Sequence, residues 1–144
     1  AAGAATFTGL AVGNPAGSGV NLAINKVFVL QGAALTAETD IGIMYGPATA
    51  AITASLTTIF NRKAGGSASV CTATAGQTIT APTAFIVFAG SGSGAITVPG
   101  IMPVNQVDFE GSVVIPPGYF IASYTSRVST TALMFAFQWE EIPV

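Results

Sequence analysis

Histidine is absent from this chain, cysteine occurs once and charge is scarce. Without an imidazole there is no ordinary base for a serine or cysteine nucleophile and no histidine ligand for a metal. Cys71 alone forms neither an internal disulfide nor a zinc-holding cysteine cluster, and Ala68-Ser69-Val70-Cys71-Thr72 reads as a core position. Four Lys plus Arg and six Asp plus Glu make 7% of 144 residues, with net charge −2. An average domain of this length carries about 36 charged residues. A folded monomer exposes roughly 7,000 Å², or one charge per about 700 Å², too sparse for a free monomer's surface. Only Arg62 and Lys63 are adjacent cations, so no run of phosphates is neutralised and nucleic acid is not an expected partner. No window reaches about 18 apolar residues without interruption, which removes a spanning helix. Trp139, Tyr45, Tyr119 and Tyr124 are thin provision for the aromatic girdles of a membrane barrel. Ala1 to Ala5 has no basic residue and no apolar h-region, so it reads as part of an extended arm and not as a signal peptide.

Hydrophobic residues are plentiful instead: 51% of the chain, including 13 Val, 12 Ile, 6 Leu and 9 Phe, with a mean hydropathy of +0.67. That supply excludes a disordered chain and fits one compact domain. Gly and Pro, 25 of 144 residues, punctuate short Val-, Ile-, Phe- and Thr-rich stretches along the whole length, the texture of an all-β domain. The clearest strand is Thr131 to Glu141, where Leu133, Phe135, Phe137 and Trp139 alternate with Ala132, Met134, Ala136 and Gln138. The aromatic row should face the core. The other row is still apolar, so it is expected to be covered. Val20 to Leu30 alternates through Leu22 and Ile24, then changes phase to Val27 and Val29, which predicts a bulge or a crossing near Asn25 and Lys26. Ser112 to Ile115, the corner Pro116-Pro117-Gly118 and Tyr119 to Tyr124 read as strand, turn and strand. Further strands are expected at Thr6 to Val12, Thr39 to Tyr45, Ala68 to Thr74, Thr83 to Ala89 and Gln106 to Phe109. Alanine content argues for a helix over Ala48 to Leu56, but Ile52, Ala54 and Leu56 alternate with polar neighbours, so Ala50 to Phe60 is read as a strand. Eight or nine strands at this length imply a jelly-roll-like antiparallel β-sandwich, with residues 1–13 as an arm and 14–144 as the domain.

No constellation of reacting groups stands out. Gly90-Ser91-Gly92-Ser93-Gly94 is followed by Ala95-Ile96-Thr97, not the Gly-Lys-Ser/Thr that a phosphate cradle requires, and reads as a loop tip. Arg62 and Lys63 read as a solvated or interface patch. On a regular strand Asp108 and Glu110 share a face about 7 Å apart. That spacing admits an acid and base of an inverting glycosidase or part of a calcium site, against the simpler reading of two solvated acids at a strand end. Glu140 and Glu141 point to opposite faces. Ser18, Ser91 and Ser93 have no base in any local pattern, so no nucleophile, cofactor or metal is nominated.

Asn14-Pro15-Ala16-Gly17-Ser18-Gly19-Val20-Asn21-Leu22, the later run from Asp108 through Gly111 to Pro116-Pro117-Gly118-Tyr119, and the terminal Trp139-Glu140-Glu141-Ile142-Pro143-Val144 are similar to sequences of small virion proteins of tailed phages. The chain resembles the capsid decoration, or cement, proteins with a jelly-roll fold. The resemblance implies a non-enzymatic protein, made in the host cytoplasm, that caps an icosahedral head. Such proteins commonly act as trimers that clamp neighbouring major capsid subunits. Phe7 and Leu10 would anchor the arm, and Met134, Ala136, Trp139 and Ile142 would contribute to contacts. The alternative is a receptor- or glycan-binding head-fibre or tail-tip module holding sugar with the loop Ser91 to Ala95 and with Tyr45 or Tyr119. Either way, function is expected in surfaces. A monomeric form is expected to precipitate at concentrations where an assembled form stays in solution, which light scattering across a dilution series measures directly.

Overall fold

The computed structural model describes residues 9–32, 38–48, 52, 59–75, 82–91, 104–126 and 133–144. Among them there is no helix, and eight strands follow in order: β1 Leu10–Asn14, β2 Val20–Gln31, β3 Thr39–Pro47, β4 Thr72–Ala75, β5 Ala84–Ser91, β6 Val104–Ile115, β7 Tyr119–Thr125 and β8 Leu133–Pro143. A five-stranded sheet in the order β4-β1-β7-β3-β5 faces a three-stranded sheet in the order β6-β2-β8, and every pairing is antiparallel. The pairs β3 with β5, β2 with β6 and β1 with β7 are nested like one long hairpin wound over itself. That winding is the pattern of a jelly roll. Two strands extend it, β4 on the free edge of β1 and β8 on that of β2.

Alternation fills the space between the sheets. Val12, Ile41, Ile43, Ala73 and Ile121 from the larger sheet meet Leu22, Ile24, Val27, Val29, Val113 and Ile115 from the smaller one. The phase change in β2 is a bulge at Asn25. Ile24 pairs with Trp139 and Lys26 with Gln138, so β8 runs on unbroken while β2 carries one extra residue. Against β6 the same step is wider, from Val113 to Asp108, and Glu110 and Gly111 adopt φ of 49° and 76° there. The bulge lets Leu22, Ile24, Val27 and Val29 all reach the core.

Four sequence expectations need correction. Gln106 to Phe109 and Ser112 to Ile115 belong to one bent strand, β6. The boundary drawn after Gly13 falls inside β1, whose residues 11–14 are buried between β4 and β7, so Leu10 to Gly13 are sandwich and not arm. Within Ala50 to Phe60, the described residues Ile52, Ile59 and Phe60 are not in a strand. Ile52 is buried because it lies over Ala11, Met44, Phe120 and Ala122 on the outer face of the larger sheet, and its carbonyl accepts from Thr72 Oγ1 at 2.6 Å. The strand expected from Ala68 begins only at Thr72, because Ser69 Oγ takes the Cys71 N–H at 3.1 Å. Gly42 and Gly118 are among the glycines required by geometry. A Cβ on Gly42 would lie 2.1 Å from the Ile86 carbonyl oxygen, and Gly118, with φ of 81°, occupies the left-handed position of the turn closed by Tyr119 N donating to Pro116 O at 3.2 Å.

That turn carries the chain from the smaller sheet back to the larger one, and the loop Pro15 to Gly19 carries it the other way. One side chain joins both crossings. Asn14 Nδ2 donates to Val20 O at 2.8 Å and to Ile115 O at 3.0 Å, while the Asn14 carbonyl accepts from Gly118 N at 2.8 Å. Both side-chain partners are carbonyls, so only the amide nitrogen can serve them, and Oδ1 is buried with no hydrogen-bond partner among the described residues. Asn14→Ala removes two hydrogen bonds and strands the buried Ile115 carbonyl. A loss of about 2–4 kcal/mol in urea unfolding is expected. Asn14→Asp should be at least as damaging, because a carboxylate offers no donor to either carbonyl.

Candidate functional site

The larger sheet has two more strands than the smaller, and β8 is an edge strand of the smaller one. Its inward row of Leu133, Phe135, Phe137 and Trp139 packs on the core but stays only partly buried. Its outward row is open: Met134 is 61% and Ile142 46% exposed, with Ala136 and Glu140 also exposed. The inward row thus lies where the alternation placed it. The outward row is not covered by any described part of the chain.

The stretch Ile59 to Cys71 lines the side of the sandwich next to this edge. Asn61 organises it: Oδ1 accepts from Lys63 N at 2.8 Å, Nδ2 donates to Ser67 O at 2.7 Å, and Gly66 N donates to Lys63 O at 2.9 Å. This small turn holds Arg62 and Lys63 exposed, and neither has an ion-pair partner among the described residues. Between it and β8 runs a groove of about 880 Å³ whose walls include Phe28, Phe60, Arg62, Lys63, Trp139 and Glu140. An adjoining apolar groove of about 490 Å³ is lined by Leu10, Phe60, Met134, Phe135, Ala136 and Trp139. Four of the six contact residues expected from the sequence therefore come together: Leu10, Met134, Ala136 and Trp139. Ile142 lies further along β8, and Phe7 is outside the described residues. Phe60, 83% exposed, was not singled out by the sequence, since its hydrophobicity alone marks a core residue. Phe85 and Val87 on β5 are a second exposed apolar pair, beside the partly buried Tyr124 of β7, whose ring lies 5.1 Å from that of Phe85.

The remaining polar candidates have structural work. Asp108 pairs with Lys26 at 3.1 Å and accepts from Glu110 N at 3.1 Å, and the Lys26 ammonium and that N–H hold its carboxyl below the usual range. Asp108 and Glu110 are both exposed with the half-buried Phe109 between them, and the chain turns left-handed at Glu110 and Gly111. Ser18 Oγ bonds to the Val20 backbone at 3.3 Å, and Tyr45 packs on the core while Tyr119 is partly exposed at the corner. Of the glycine-serine run only Gly90 and Ser91 are described, at the end of β5; residues 92–95 lie outside the described residues. Ser69 Oγ donates to Glu141 Oε1. Among the described residues no cluster of three or more His, Cys, Asp or Glu is placed to hold a metal, and no helix is long and apolar enough to cross a membrane. No protein family, curated protein or solved structure matches the chain.

Cys71 is buried, and desolvation, opposed by the Ser69 hydrogen bond and aided by the Glu141 charge, pushes its thiol up from 9.0 to about 11. A disulfide reagent at pH 8 should find no reactive thiol in the native protein and one per chain in urea. A raised folded value also means that stability is present below pH 9 and falls as pH rises from about 9 towards 11, which urea titration across that window reads out.

Proposed function

We propose that this chain is a non-enzymatic structural protein of a virion, a capsid decoration or cement protein that bridges major capsid subunits on the outside of a phage head. The observation that carries the reading is the open β8 margin, where exposed apolar residues and two grooves stand on a chain with 7% charged residues. Surfaces of that composition suit contacts that are permanent once made, which are far more apolar than a monomer's exterior. The rigid sandwich suits a part that must hold its shape in many copies. Its partners on this reading are further copies of itself, three being the number the resemblance implies, and the major capsid protein, without nucleic acid or membrane. The glycan-binding alternative draws no support from Tyr45, whose ring is packed against the core.

Native mass spectrometry of the purified chain, followed by co-sedimentation with assembled heads, tests the proposal. A homo-oligomer that saturates heads at a fixed copy number and raises the temperature at which they rupture is expected. A stable monomer with no affinity for heads contradicts it.

A further inference from the structure

Four strands end the two sheets, and only one of them offers a long, unbroken edge. β4 has four residues; β5 carries a register irregularity against β3; β6 is bent at Glu110 and Gly111 and bears the acid Asp108. These are the usual devices that blunt an edge. β8 carries Glu140, Glu141 and Pro143 at its C-terminal end, but it is long and unbroken: it runs eleven residues, its bulge being on β2, and no described backbone group pairs with its far side. The Ile59 to Cys71 stretch does not close that edge, because Ser69 bonds to the inward-facing Glu141 and Ile59 packs on the core between the sheets.

We propose that the occupant of this edge is the β8 strand of a second copy, added antiparallel about a two-fold axis at Gln138, so that two three-stranded sheets become one of six. Gln138 is the midpoint of Leu133–Pro143, so this register alone pairs the strand from end to end. It sets each exposed Met134 opposite the exposed Ile142 of the other copy, and Phe137 opposite Trp139 on the core side. A slip of one residue would turn the second copy's core face to the opposite side. The charges fit the same register. Glu140 of one copy falls opposite Ala136 of the other, a residue that lines the groove walled by Arg62 and Lys63, which have no ion-pair partner among the described residues. The two Glu140 side chains then lie about 14 Å apart along the strands, beyond the screening length of roughly 8–10 Å. Moving the axis to Glu140 would instead set like charges directly opposite each other, which is destabilising. A contact of this type is closed once two copies meet. It rests on the structural reading above, and in a shell it joins one decoration unit to the next.

Oxidative cross-linking tests the geometry. Gln138→Cys should give covalent dimers on a denaturing gel, because each introduced thiol faces its own copy, whereas Gln106→Cys on the far edge strand β6 should give none. The buried Cys71 contributes no background. In parallel, Arg62→Glu and Glu140→Arg should each weaken association by roughly tenfold, since either change acts twice across the axis, and the two together should restore it. Circular dichroism verifies that each variant is folded. Equal cross-linking at both positions, or none at Gln138→Cys, overturns the pairing, as does a charge swap without rescue. A chain that still assembles and binds heads in that case leaves the proposed function standing and removes only this contact.

Discussion

Unequal sheet widths govern this molecule. Five strands face three, and with neighbouring strands about 4.8 Å apart the smaller sheet falls short by roughly 10 Å. On one side of the shortfall Phe88 and Phe109 meet edge to face at 6.4 Å. On the other, Phe135, Phe137 and Trp139 reach the core but are only partly covered, and the stretch Ile59 to Cys71 lines the side without sealing it. The grooves, the open edge and the exposed outward row all follow from that arrangement. A chain with a normal complement of charge would blunt such an edge. Here the only acids on β8, Glu140 and Glu141, stand at one end of the strand, and the adjacent cations Arg62 and Lys63 lie on the neighbouring turn.

The open margin is tolerable because the opposite requirement, a fixed relation between the sheets, is met elsewhere. Asn14 ties the ends of β1, β2 and β6 to the turn that opens β7. A hydrophobic core fixes how far apart two sheets lie but is indifferent to small sliding, whereas hydrogen bonds with fixed donors and acceptors are not. Burying Oδ1 without a partner among the described residues is a cost, and the two amide donations offset it. The surface ion pair of Lys26 and Asp108 plays a lesser part: it steadies the bent segment of β6 in solvent, where such pairs contribute little.

Period-two patterns were legible wherever a strand has one buried face. The aromatic row of β8 and the phase change at Asn25 could both be read directly, because each residue's burial is decided by its own strand. The failures share a cause. Ile52 looked like part of an alternating strand, yet it is buried by lying over Ala11 and Phe120, residues distant in sequence. Ala11 and Val12 looked like part of an arm because Ala and Gly around them carry little signal, and only the flanking β4 and β7 make them interior. The bend at Glu110 was hidden since a non-glycine residue gives no warning of a positive φ. Of the contact residues, Leu10, Met134, Ala136 and Trp139 were visible as apolar residues with an ambiguous face. Phe60 was not, because exposure is a property of the fold around a residue.

Amide hydrogen exchange along β8, compared between a dilute sample and the assembled state, bears most directly on the claim that this margin is where the protein acts. Backbone amides of Leu133–Pro143 that point away from β2 should exchange rapidly in dilute protein and become strongly protected on assembly, while those of β2 are protected in both. Exchange of β8 that is the same in the two states would contradict an edge-docking role and move the functional surface elsewhere on the sandwich.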